Sequence, residues 1–105
     1  MTAKHALEGM SKVVAIEGAP HGVTSNCVNP AYVRTPLVEG QIAGQAKAHG
    51  LSEDEVIGQV MLAPAAIKRL LEPAEVADAV AWLCSPSATS VSGTSLVMDG
   101  GWSAH

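Results

Sequence analysis

Val23-Thr24-Ser25-Asn26-Cys27-Val28-Asn29-Pro30-Ala31-Tyr32-Val33-Arg34-Thr35-Pro36 is the stretch on which the fold turns. Residues 23–28 read as a short strand. Asn29-Pro30 ends it, because proline has no N–H for a ladder and restricts the residue before it. Thr35-Pro36 then opens a helix, with the threonine as cap and the proline at the first helical position. A strand that feeds a loop and then a helix is one half-turn of a parallel α/β unit.

The flanking sequence extends that pattern. Upstream, residues 3–17 predict a helix, with Ala3, Leu7, Met10 and Val14 at helical spacing and Ala6 and Val13 widening the stripe. Thr2 is its expected cap, and Gly18 and Pro20 end it. Downstream, the helix begun at Pro36 carries Leu37, Gln41 and Gln45 on one face and ends at Gly50. Ser52-Glu53-Asp54-Glu55 is a capping box that opens a third helix through Met61. Pro64 interrupts, and residues 65–71 predict a helical turn. Pro73 starts a helix with Val76, Val80 and Leu83 spaced for burial, and Ser85-Pro86 stops it. Residues 94–98 predict a second strand, followed by a turn at Asp99-Gly100-Gly101.

A chain of 105 residues has room for one small domain, here expected over residues 1–105. With 48% hydrophobic and 15% charged residues it has the composition of a folded chain rather than a disordered tail. Its net charge of −4, with no basic run, argues against nucleic acid as a partner. No apolar run reaches membrane-spanning length. Cys27 and Cys84 match no metal spacing and read as free thiols of a reducing, cytoplasmic setting. His5, His21, His49 and His105 form no ligand pair, so no metal site is expected.

Four stretches, taken in order, carry a family resemblance: Lys4-His5-Ala6-Leu7-Glu8-Gly9; the stretch from Val23 to Pro36; Glu72-Pro73-Ala74-Glu75-Val76-Ala77 with Trp82-Leu83; and Ser92-Gly93-Thr94-Ser95-Leu96-Val97-Met98-Asp99-Gly100-Gly101. Together they resemble the C-terminal part of a short-chain dehydrogenase/reductase, in particular a 3-hydroxybutyrate dehydrogenase. The fold implied is a C-terminal fragment of a Rossmann-like doubly wound parallel sheet, with about two strands and four or five helices. The glycine-rich turn that such a fold uses to hold a pyrophosphate is not among these residues, nor are the family's catalytic serine and tyrosine.

The resemblance assigns roles residue by residue. Lys4 matches the lysine that binds the nicotinamide ribose and lowers the pKa of a tyrosine four residues earlier. A helical turn puts those two groups on one face, where an ammonium favours the phenolate. No residue of this chain stands at that tyrosine position, which lies one place before Met1. Pro30, Ala31, Val33 and Thr35 match the loop that receives the nicotinamide carboxamide; Ala31 replaces the usual glycine. Gln41 matches a glutamine that donates to the substrate carboxylate, work suited to its N–H donors. Leu37 belongs to the same lid, Tyr32 stands where an aromatic borders the pocket, and Trp102 resembles a tryptophan near the substrate.

The cofactor implied is NAD, the substrate a small acid like 3-hydroxybutyrate. The apolar helix stripes imply self-association. Two expectations follow. The chain is part of an NAD-dependent dehydrogenase and is inactive without the nucleotide-binding half, or it is a non-catalytic oligomerisation module derived from that family.

Overall fold

The structure is a computed structural model that describes residues 1–105. It divides into two compact units, Met1–Asn29 with Ala77–Val97, and Pro30–Val76 with Met98–His105. The elements run α1 (Thr2–Gly18), β1 (Cys27–Pro30), α2 (Pro36–His49), α3 (Glu53–Glu55), a π-helical stretch (Val56–Met61), α4 (Pro73–Leu83) and β2 (Ser95–Met98). Short 3₁₀ turns follow α1 and α4. The class is the expected α/β, with a parallel two-stranded sheet.

In the first unit, α1 begins a residue earlier than expected. Thr2 lies inside the helix and Met1 is the cap, its carbonyl accepting from the amides of Lys4 and His5 at 3.1 and 3.2 Å. The apolar stripe predicted for burial is not the buried one. Ser11 and Ala15 are buried and Glu8 and Gly18 half-buried, while Leu7, Met10, Val13 and Val14 are exposed. Small and polar residues let this face approach closely: a Cβ on Gly18 would stand 2.9 Å from that of Val23. The Ser11 hydroxyl pairs with that of Ser25 at 2.9 Å.

The expected strand over residues 23–28 is displaced to Cys27–Pro30. Residues just before it are held by one backbone bond, from Gly93 N–H to Ser25 O at 2.6 Å, and otherwise by side chains. Ser25 N–H donates to Ser92 Oγ, Asn26 Nδ2 donates to the Val91 carbonyl, and Asn26 Oδ1 accepts from Thr94 N–H. Pro30 ends the strand without breaking it. The amides of Cys27 and Ala31 donate to Thr94 and Met98 at 2.9 and 3.0 Å. Alternate residues face β2, so the missing N–H of Pro30 falls on the side away from it. On α4, Val76 and Leu83 are half-buried and Val80 is exposed, so its stripe is only partly covered.

The second unit contains the better-packed core: Ile42, Val56, Met61, Leu62, Ala65 and Leu70, with Tyr32, Val38, Ala46, Leu51 and Ile57 against it. The start of α2 is as expected, Thr35 Oγ1 accepting from Val38 N–H at 3.3 Å, and Gly50 closes it with φ 65°. Its inner face is Val38, Ile42 and Ala46; Leu37 and Gln41 point out. The capping box of Ser52 and Glu55 is present in both directions. The helix it opens reaches Met61, but as a π-turn, with Leu62 N–H donating to Ile57 O at 2.9 Å. The wider turn lets Val56 and Met61 both reach the core.

Residues 65–71 are not a helical turn. Ala66 and Ile67 amides both donate to Gly100 O, and Leu71 forms a parallel bridge with Val33. Lys68 Nζ supplies donors to the carbonyls of Leu62 and Ala63 that a continuing helix would have bonded. The Asp99-Gly100-Gly101 turn is as expected, with φ of 61° and 85° at the glycines.

Candidate active site

The residues that follow Pro30 are held open by Leu71. Leu71 N–H donates to Tyr32 O at 2.9 Å, and Arg34 N–H donates to Leu71 O at 2.8 Å. In a parallel bridge the central residue's own groups point away from the partner. The Val33 amide and carbonyl therefore face outward, and neither has a hydrogen-bond partner in the chain. Two residues on, the Thr35 hydroxyl accepts from α2 and keeps its own O–H free to donate. One outward N–H, one outward carbonyl and one hydroxyl donor thus lie within three consecutive residues.

Tyr32 packs on the core of the second unit and borders two hollows. One, of about 310 Å³, is open and lined by Ala31, Tyr32 and Trp102. The other, of about 240 Å³, is lined by Ala31, Tyr32, Leu62, Ile67, Arg69, Leu71, Met98, Asp99 and Gly100. Sequence reasoning singled out Ala31, Tyr32 and Trp102 but not Arg69 or Asp99. Asp99 was legible only as a turn residue, and it acts as one: its carboxylate accepts from the Gly101 and Ser103 amides at 3.0 Å. Its bonds to Ser103 hold its carboxyl below the usual range.

Arg69 had no sequence signal, because its partner Glu75 lies on the next element. The two form a bidentate pair at 2.7 and 2.8 Å. The bond from Arg69, then that from the Glu72 amide, lowers the Glu75 carboxyl to about 2. The same pair raises the Arg69 guanidinium above its ordinary value.

The remaining predicted residues are not among those that line these hollows. Leu37 is 74% exposed, and Gln41 is exposed on the outer face of α2, its side chain making no hydrogen bond inside the chain. Pro30 is exposed at the end of β1. Lys4 lies in the first unit, exposed on α1 and in no ion pair. No group of three or more His, Cys, Asp or Glu side chains could hold a metal ion.

A family model described as enoyl-(acyl carrier protein) reductase matches residues 1–103. The chain belongs to the short-chain dehydrogenase/reductase family. It is 43% identical over 105 residues to D-beta-hydroxybutyrate dehydrogenase of Rhizobium meliloti (strain 1021), covering 100% of this chain and 41% of that protein. Among solved structures it resembles a short chain dehydrogenase family protein from Francisella tularensis, with 30% identity and a TM-score of 0.87 over 99% of this chain and 43% of that one. It also resembles L-sorbose reductase from Gluconobacter frateurii complexed with NADPH and L-sorbose: 32% identity, TM-score 0.85, covering 96% of this chain and 38% of that one. The chain thus spans about two fifths of the length of such relatives.

Proposed function

We propose that these residues form the nicotinamide-and-substrate side of an NAD-dependent dehydrogenase that oxidises 3-hydroxybutyrate or a closely similar 3-hydroxy acid to the 3-oxo acid. The observation that carries this reading is the Val33–Thr35 segment. A primary carboxamide offers one carbonyl acceptor and an N–H donor. The Val33 N–H and carbonyl and the Thr35 O–H are complementary to it, so the residues present fit a nicotinamide. When bound, that ring accepts the hydride from C3 of the hydroxy acid.

The chain's own residues divide the remaining work. Lys4 holds the nicotinamide ribose and, by its charge, favours the ionised form of a phenol one helical turn earlier, which takes the proton of the substrate hydroxyl. Gln41 and Leu37 form the lid over the substrate, and the Gln41 amide donates to its carboxylate. Tyr32 and Trp102 bound the apolar side, supported by the hollow they share with Ala31. The cofactor of this reading is NAD rather than NADP, as the resemblance of the motifs to 3-hydroxybutyrate dehydrogenases implies. Residues 1–105 by themselves bind NAD weakly and do not turn over, since the pyrophosphate-binding turn and the phenol have no counterpart among them. The exposed apolar residues of α1 favour self-association.

The test is a chimera in which this chain replaces the corresponding C-terminal stretch of the Rhizobium meliloti enzyme. A chimera that melts cooperatively and reduces NAD with D-β-hydroxybutyrate is expected. One that folds equally well but reduces neither NAD nor NADP with that acid overturns the reading; a preference for NADP overturns the cofactor assignment alone.

A further inference from the structure

Glu8 is the acidic residue on the buried face of α1. One carboxylate oxygen accepts from Asn29 Nδ2 at 2.8 Å, and the other accepts from the Ser95 hydroxyl. Asn29 belongs to β1 and Ser95 to β2, so one side chain joins the helix to both strands of the sheet. The bond from Ser95, then that from Asn29, holds the Glu8 carboxyl below its ordinary range, and Cys27 and Lys12 act in the same direction. The rest of that face is small, Ser11, Ala15 and Gly18, and its other side-chain anchor is the Ser11–Ser25 hydroxyl pair. Ser25 lies before β1, so Glu8 is the side chain of α1 that bonds to the strands themselves. Lys4 stands one turn before Glu8, at i and i+4, so the two share a face.

We propose that Glu8 is a positioning residue: by joining α1 to Asn29 and Ser95 it fixes the rotation and height of the helix on the strands, and so the direction in which Lys4 is presented. The part that concerns Lys4 rests on the dehydrogenase reading above.

The chimera with the Rhizobium meliloti enzyme provides the test. Glu8→Ala is expected to lower kcat/KM for NAD by about tenfold, the scale of a slightly misplaced catalytic group. It is also expected to move the acid limb of the kcat profile for oxidation to higher pH, because a displaced ammonium no longer favours the phenolate. Glu8→Gln is expected to stay close to the parent: its carbonyl accepts from Asn29 and its N–H donates to the Ser95 oxygen. Asn29→Asp, which sets two carboxylates face to face, is expected to behave like Glu8→Ala. Adding Glu8→Gln to Asn29→Asp is expected to restore activity, since an amide then donates to the new carboxylate.

A folded Glu8→Ala chimera with the parent's kcat/KM and pH profile overturns the proposal, as does failure of the double substitution to recover what Asn29→Asp loses. A folded but inactive parent chimera is a failure of the dehydrogenase reading instead. The clamp is then read in the 105-residue chain by amide hydrogen exchange: Glu8→Ala is expected to speed exchange along α1, and unchanged exchange overturns it.

Discussion

Two residues show how one side chain serves the fold and the site. Thr35 caps α2 through Val38 and leaves its hydroxyl hydrogen free beside the outward groups of Val33. Thr35→Ala is expected to cost about 1 kcal/mol, read from urea midpoints, as loss of an N-cap does. Thr35→Ser should recover most of it. Glu75 joins the Arg69 guanidinium to the start of α4. Its carboxyl is lowered to about 2 in the fold against 4.5 ordinarily. The unfolded chain therefore binds more protons in that window, and the pair's contribution is complete above the ordinary value and fades as the pH falls towards about 2. Urea unfolding of parent and Glu75→Gln should differ at neutral pH and converge in acid. A difference that persists unchanged at low pH would refute the assignment.

At the scale of elements, the second unit is stabilised by one side of α2 and the turn after it. Ile42 is 3% exposed and packs with Val56, Met61 and Leu62. Ile42→Ala should cost about 2–5 kcal/mol in a chemical melt, the range for deleting a buried Ile side chain. Much of this architecture was legible because its signals are local: Thr35-Pro36 at a helix start, Ser52 and Glu55 as a capping box, Asp99-Gly100-Gly101 as a turn. The structure departs from the local pattern where distant residues decide. Residues 65–71 look helical in isolation but are drawn out by Gly100 and Val33. The side chains of Asn26 and Ser92 hold what reads as the start of a strand. On α1 the apolar stripe dominates the periodicity, yet Ser11 and Ala15 are buried. For the site, Ala31, Tyr32 and Trp102 could be read from the family likeness and share a hollow. Arg69 could not, because its pairing with Glu75 is a tertiary fact.

At the scale of the whole chain, exposure is the informative quantity. Met10 is 58% and Ile16 75% exposed on α1, and Trp82 is 46% exposed on α4. Leu7, Met10, Val13 and Val14 are also exposed at helical spacing on α1, and an apolar stripe of this kind is the basis of the self-association proposed above. Sedimentation of the 105-residue chain should depend on concentration, and Met10→Glu with Val13→Glu should shift it towards the monomer. A monomeric parent at all concentrations would contradict the self-association proposed above. The melting midpoint of the same chain should not move with NAD, because only a ligand bound to the native state raises it.

If this chain supplies the substrate-facing part of a 3-hydroxy acid dehydrogenase, as proposed, with Gln41 reading the carboxylate, selectivity for the acid must depend on Gln41. The most direct measurement is NADH formation by the chimera with D-β-hydroxybutyrate and with 2-butanol, which keeps the secondary alcohol and lacks the carboxylate, in parent and Gln41→Ala. The parent should favour the acid, and Gln41→Ala should lose about 10- to 100-fold in kcat/KM for the acid alone, the scale of a hydrogen bond to a charged group. A folded chimera that treats the two alcohols alike, or a Gln41→Ala variant that keeps the parent's preference, would show that Gln41 does not read the carboxylate.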